Sequence, residues 1–250
     1  MSIDKTRIGI TEAGDASLDY SWIKKLESCT GVILITKNIT DKFIDEVTNP
    51  SRMNKIIIHA TCTGMGDTII EPNVPYYKTQ LAQVRKLINR GFPEERIIIR
   101  VDPIVPTEKG LQTAQKVFDE SPIKRFRFSV LDMYPHARNR FKAAGVPLPY
   151  GENRFQASPA QFVAMKKWLE NQPADYTFEC CAETWFSDIP NVKAVGCVSE
   201  NDLHKLNIST TTPFATGMQR STCLCLSCKT ELLSNKKRCA HGCLYCYWKD

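Results

Sequence analysis

The sequence predicts an α/β protein built on a partial or full parallel (β/α) barrel, and three observations carry that prediction. Short β-rich runs alternate with helical stretches over about 200 residues, the pattern of repeated βα units. Two of the runs, Ile56-Ile57-Ile58 and Ile97-Ile98-Ile99, are unbroken β-branched stretches, as expected of strands covered on both faces. Polar residues recur directly after the runs, where the loops at the C-terminal ends of barrel strands carry reactive groups.

Strands are predicted at 7–11, 31–36, 55–61, 96–101, 125–131, 176–180 and 192–198. Within 78–90, Leu81, Val84, Leu87 and Ile88 fall on one helical face, and Gly91 follows as a stop. Thr107 is placed to cap a helix whose inner face is Leu111, Ala114, Val117 and Phe118. Ser158 and Pro159 supply the cap and first position of a helix over 160–171, with Phe162, Met165, Trp168 and Leu169 inward. These stripes are core and need no cofactor to explain them. The loops after successive strands hold Glu12 to Asp15, Lys37-Asn38, Cys62 to Asp67, Asp102-Pro103, Asp132 to Tyr134, Cys181 to Glu183 and Ser199-Glu200. They point to a ring of polar groups around one cleft.

Composition excludes several classes. At 42% hydrophobic and 24% charged residues, the 250-residue chain is a folded globule that needs no disulfides for its core. Residues 1–7 lack the apolar stretch of a signal peptide, and no apolar run approaches the ~20 residues of a membrane span, so a cytoplasmic, membrane-free protein is expected. The excess of 33 Lys+Arg over 27 Asp+Glu gives +6, which permits a nucleotide or nucleic-acid substrate without demanding one. There is no Gly-x-Ser-x-Gly and no P-loop, and the four histidines show no metal-ligand spacing. His59, inside an apolar run, reads as a core histidine.

The cysteines are the anomaly. There are 11, and six of them (Cys223, Cys225, Cys228, Cys239, Cys243, Cys246) fall in the last 28 residues. The chain therefore divides into an α/β barrel over 1–210 and a Cys-rich segment over 211–250. Two metal readings compete. Cys225-x2-Cys228 and Cys243-x2-Cys246 have the spacing of a four-thiolate zinc ribbon, and Lys229, Lys236, Lys237 and Arg238 between them would suit nucleic-acid phosphates. Alternatively, Cys239-x3-Cys243-x2-Cys246 supplies three thiolates to a four-iron cluster whose fourth iron stays open. Three ligands in one short loop are rarer by chance than a lone Cys-x2-Cys.

Cys239-Ala-His-Gly-Cys243-Leu-Tyr-Cys246 resembles the radical S-adenosylmethionine (SAM) signature. The chain as a whole resembles an uncharacterised bacterial and phage family of radical-SAM-like proteins, loosely similar to lyases of the spore-photoproduct type. The matching stretches include Thr36-Lys37-Asn38, Thr63-Gly64-Met65-Gly66, Ile70-Glu71-Pro72-Asn73-Val74-Pro75, Arg100 to Ile104, Ser129 to Tyr134 and Cys181-Ala182-Glu183. The family tends to have Arg-Arg-Thr-Asp where this chain has Glu12-Ala13-Gly14-Asp15.

The resemblance implies a radical SAM barrel that is circularly permuted, so that the C-terminal loop completes the active site. Cys239, Cys243 and Cys246 would bind a [4Fe-4S] cluster. Lys37, Asn38, Thr63, Gly64, Arg100, Asp102, Asp132 and Glu183 would face SAM. Cys181, Cys197, Cys223 and Cys225 would hold an auxiliary cluster, with Cys228 an alternative ligand. A flavodoxin or ferredoxin would donate electrons. Cys29, Cys62 and Cys180 read as small apolar residues, with Cys180 pointing away from Cys181.

Overall fold

In the computed structural model, which describes residues 6–181, 183–209, 223–233 and 239–248, the strands form one sheet. The chain runs β1 (Ile8–Ile10), α1 (Trp22–Lys25), β2 (Gly31–Thr36), α2 (Asp41–Val47), β3 (Ile56–Thr61), α3 (Tyr77–Asn89), β4 (Ile97–Ile104), α4 (Glu108–Glu120) and β5 (Arg125–Val130). It continues through α5 (Pro135–Ala143), α6 (Pro159–Glu170), β6 (Thr177–Cys180), β7 (Val192–Ala194), α7 (Glu200–Lys205) and β8 (Lys229–Glu231). Every neighbouring pair is parallel, in the order β7-β6-β5-β4-β3-β2-β1-β8. The last strand therefore lies beside the first. No helix among the described residues is long and apolar enough to cross a membrane.

Strand periodicity explains the isoleucine triplets. Ile56, Ile58, Ile97 and Ile99 join Phe126, Phe128 and Phe178 in a core shared with Leu81, Val84, Val117 and Phe118 of the helices. Ile57 and Ile98 point the other way, into a second cluster with Ile8, Ile33, Leu203 and Leu206. The predicted caps are present: Thr107 accepts from the Gly110 amide, and Ser158 forms a capping box with Gln161 behind Pro159.

Two strand boundaries differ from the sequence reading by more than one residue, and one strand is new. The strand expected over 192–198 stops at Ala194, because Cys197 and Val198 turn into the second cluster. β4 continues to Ile104, through a cis Asp102–Pro103 bond and a register shift after Val101. β8 was not expected at all. Its Lys-Thr-Glu sequence lacks an apolar alternation, and it is a strand because β1 pairs with it. β8 comes from the Cys-rich segment, so that segment contributes to the sheet.

The inner face is partly ionic. Arg127, 1% exposed, donates from Nε to Glu179 (3.0 Å), from Nη1 to the Cys197 carbonyl (3.1 Å) and from Nη2 to Asp202 (3.1 Å). Arg125 bridges the same two carboxylates at 2.8 and 2.7 Å. This balanced set of two cations and two anions ties β5 and β6 to α7. His59, fully buried, stands 3.3 Å from Arg127. Burial, then the Arg127 charge, holds its imidazole neutral well below the usual range. It is a core histidine, as expected, but its neighbour is a guanidinium.

Burial alone would raise the carboxyls of Glu179 and Asp202; the Arg127 and Arg125 charges outweigh it and hold both below the usual range. Groups so depressed stabilise the fold above the unfolded-state pKa of ~4, and that contribution is lost as pH falls through the folded values. Urea midpoints should therefore begin to fall as pH drops below about 6.5, where the unfolded chain protonates the imidazole that the fold keeps neutral at His59, and should fall further below about pH 4, that second fall being less steep in Glu179→Gln/Asp202→Asn. Arg127→Met, which leaves buried carboxylates short of a partner, should cost about 3–5 kcal/mol at neutral pH in the same titration.

Candidate functional site

All strands are parallel, so their C-terminal ends open toward one side. A cavity of about 490 Å³ lies there. Its floor is made by inward residues at the strand ends, including Thr61 and Arg100, and its walls by the loops that follow. The loop over 239–248 forms one wall. Cys181, Cys197, Cys223 and Cys225 line the cavity with Cys239, Cys243 and Cys246. These are the seven cysteines that the sequence reading assigned to clusters. Cys228 is not among the lining residues; its carbonyl accepts from the Ile8 amide. Cys29, Cys62 and Cys180 lie in the helix-side core, and Cys181 packs on the opposite cluster.

Where the two edges of the sheet approach, Cys197 stands close to Cys181 and Cys225, and Cys223 is buried in the same cluster. The Leu226 amide donates to the Val198 carbonyl at 3.2 Å, and a Cβ on Gly196 would stand 2.4 Å from the Cys225 nitrogen. Only glycine allows that approach. It brings the Cys197 amide within 3.2 Å of Cys225 Sγ, and Cys181 Sγ lies 3.7 Å from Cys197 Sγ. Hydrogen bonds from Cys181 and Cys225 draw the Cys197 thiol well below its usual range; burial opposes them, and the Arg100 and Lys229 charges assist. The same hydrogen bond and burial push Cys181 up.

The three-cysteine loop is held by a separate set of contacts. Gly242 takes a left-handed φ of 65°, which turns the chain between Cys239 and Cys243. The loop is strapped by residues 70–73: Leu244 donates to the Ile70 carbonyl (3.0 Å), and Asn73 Nδ2 donates to the Ala240 carbonyl (2.8 Å). Tyr245 donates its hydroxyl to the buried Glu71 carboxylate. Lys37 Nζ reaches Glu71 (2.9 Å) and the Tyr245 hydroxyl (2.7 Å), and Thr63 donates to Glu71 (2.7 Å). Arg140 holds the Cys246 and Trp248 carbonyls at 2.7 Å each. Burial pushes the Cys243 thiol up to about 12, against the pull of Lys37.

Asp15 connects this loop to the sheet. It accepts from the Ser17 amide (2.8 Å), Thr36 Oγ1 (2.7 Å) and the Lys37 amide (2.7 Å), and it faces His241 Nε2 at 2.7 Å. Burial opposes ionisation, but His241 and these donors hold its carboxyl below the usual range. The loop before Asp15 is fixed in turn by β8, whose Glu231 accepts from the Glu12 and Ala13 amides at 3.0 and 2.9 Å.

Of the residues expected to face a cofactor, Lys37, Arg100, Asp102 and Asp132 line the cavity. Asn38, Thr63, Gly64 and Glu183 do not. Asn38 accepts from Ser17 and donates to Thr36. Thr63 is turned to Glu71, and Gly64 (φ 82°) fits against Thr113. Glu183 is buried beside Trp185. The roles of Glu71 and His241 were not foreseen. Glu71 lay in a stretch that carried the family resemblance, and its acidic type between apolar neighbours was the available signal.

As to fit, the seven cavity cysteines are the donor chemistry of iron–sulfur clusters, and Lys37, Arg100 and Lys229 supply positive charge near them. Among the described residues, no three His, Cys, Asp or Glu side chains converge as a single metal ion requires. A multi-iron cluster takes each thiolate on a separate iron and so accepts a wider set.

Tyr245→Phe should loosen the loop without disturbing the sheet, at a cost of about 1 kcal/mol. Amide hydrogen exchange should rise within 239–246 while β2 and β3 keep their protection; a uniform rise would show that the contact serves global stability instead.

Residues 18–248 match the model of a family described as Domain of unknown function (DUF1848). No curated protein and no solved structure matches the chain.

Proposed function

We propose that this chain, which belongs to the DUF1848 family, is a radical SAM enzyme of permuted barrel type. One observation carries the reading: Cys239, Cys243 and Cys246 stand with four further cysteines around a single cavity at the C-terminal ends of a parallel sheet. The position of β8 beside β1 supports it. The loop that follows β8 takes the place of a loop after a first barrel strand, as the sequence resemblance implies.

Cys239, Cys243 and Cys246 would hold a [4Fe-4S] cluster through three irons. Bound there with SAM on the fourth iron, it would supply a 5′-deoxyadenosyl radical for hydrogen abstraction. The protein's part is to position, neutralise and exclude water. Lys37 places a half-buried cation near Cys243, where the thiolate charge would otherwise be unbalanced. Asp102 and Asp132 present carboxylates to the cavity, suited to an ammonium or ribose hydroxyls. Tyr245, Glu71 and Asp15 fix the loop so that its cysteines need little reorganisation on binding. Cys181, Cys197, Cys223 and Cys225 would hold an auxiliary cluster that accepts electrons from a small donor protein.

A zinc ribbon on Cys225, Cys228, Cys243 and Cys246 is less well supported, because Cys228 lies outside the cavity that the other three line. Of the phosphate contacts of that reading, Lys229 is paired with Glu12 inside the fold, and Lys236, Lys237 and Arg238 lie outside the described residues.

Anaerobic reconstitution tests the choice. The protein should gain broad absorbance near ~400 nm, as thiolate-bound clusters do, and convert SAM to 5′-deoxyadenosine and methionine under a strong reductant. Cys243→Ala should abolish that conversion and keep the fold. Cys197→Ala should lower bound iron by about four atoms per chain, one cluster's worth. One zinc with neither iron nor sulfide would overturn the reading.

A further inference from the structure

Strand pairing brings two thiols of the four-cysteine side into contact. Cys180 and Ala194 are register partners on β6 and β7, and the Val195 amide donates to the Cys180 carbonyl at 3.0 Å. The residues that follow are held as well. The Cys181 amide donates to the Phe128 carbonyl at 3.0 Å, and the Cys197 carbonyl accepts from Arg127 Nη1 at 3.1 Å. Between these fixed backbones, Cys181 Sγ and Cys197 Sγ stand 3.7 Å apart, at van der Waals contact. A disulfide bond brings two sulfurs to about 2.05 Å, a closure that side-chain rotation supplies.

The four cysteines of this side are not equivalent. All four line the cavity, but Cys181 is half-buried whereas Cys197, Cys223 and Cys225 are buried. A small oxidant in the cavity therefore meets Cys181 first, and Cys197 is the sulfur in contact with it. Cys225 Sγ is engaged as the acceptor for the Cys197 amide at 3.2 Å. An accessible thiol with a second thiol at contact distance is the arrangement of a sensing and a resolving cysteine.

We propose that Cys181 is an oxidation site whose product Cys197 resolves as a disulfide. The oxidant is a peroxide. The Cys181 sulfur attacks one oxygen of hydrogen peroxide, the O–O bond breaks, and the departing hydroxide takes the thiol proton as water, leaving a sulfenic acid. The Cys197 sulfur then attacks Cys181 Sγ. The S–S bond forms, the S–O bond breaks, and hydroxide leaves with the Cys197 proton as a second water. The two sulfurs lose two electrons in all, and the peroxide gains them. The bond joins two loops at one edge of the sheet, so Cys223 and Cys225 stay reduced. Two of the four auxiliary-cluster ligands are then withheld until a thiol reductant restores them. That consequence rests on the cluster reading; the bond itself does not.

The test uses the iron-free, full-length protein. It is treated anaerobically with hydrogen peroxide, its remaining thiols are blocked with N-ethylmaleimide, and its unreduced peptides are sequenced by mass spectrometry. The expected product links Cys181 to Cys197, carries maleimide on Cys223 and Cys225, and is lost on treatment with dithiothreitol. Cys180→Ala should keep the link and Cys181→Ser should abolish it, which separates the two neighbouring thiols. Maleimide on both Cys181 and Cys197 after peroxide, a sulfinic acid on Cys181 with Cys197 free, or a link from Cys197 to Cys225 overturns the proposal. A second arm compares iron-loaded with iron-free protein, using diamide as a thiol oxidant free of peroxide. Loading should abolish the link. Equal yields with and without iron would leave the oxidation site standing and overturn the assignment of Cys181 and Cys197 to a cluster.

Discussion

The parallel pairing of β8 with β1 is the constraint on which the site depends. Two backbone bonds flank it, from the Ile8 amide to the Cys228 carbonyl and from the Leu232 amide to the Ile10 carbonyl, at 2.9 and 2.8 Å. Because the pairing is parallel, the chain leaves β8 at the same end of the sheet as every other strand. The three-cysteine loop is thereby delivered to the cavity. The dependence is mutual: Glu231 orders the loop ahead of Asp15, and Asp15 receives His241 from the three-cysteine loop. Neither loop has its observed shape without the other.

Charge is used in two ways in this fold. Beneath the cavity, Arg125 and Arg127 are matched by Glu179 and Asp202, with no residual charge and no opening. Such a network adds less to stability than to uniqueness of packing, because each member would be costly if left alone. Within the cavity the balance is incomplete. Carboxylates outnumber Lys and Arg among its lining residues, and Cys197 is drawn below its usual range while Cys181 and Cys243 are pushed up.

Much of the fold was legible in the sequence. The isoleucine triplets gave buried strands, and Thr107 and Ser158 gave helix starts, since these signals are local. β8 was not legible, because three polar residues become a strand only through a partner distant in sequence. The cysteines were legible as a group because few other uses explain them. The polar ring was legible only in outline. Residue type and position after a strand do not separate a side chain that faces the cavity, such as Asp102, from one that braces a neighbouring loop, such as Thr63. Asp15 illustrates the same limit: it stood in the ring of polar loops that pointed to a cleft, and its partners are Ser17, Thr36, Lys37 and His241 of the protein itself.

The seam beside Gly196 has a mechanical meaning. Cys181 and Cys197 belong to the β6–β7 edge of the sheet, and Cys223 and Cys225 to the β8 edge. Whatever bonds all four at once acts as a clasp across an otherwise open barrel. By mass action, occupancy of that clasp and closure of the seam reinforce each other. A group bonded to all four would then make the sheet's resistance to opening depend on occupancy as well as on sequence.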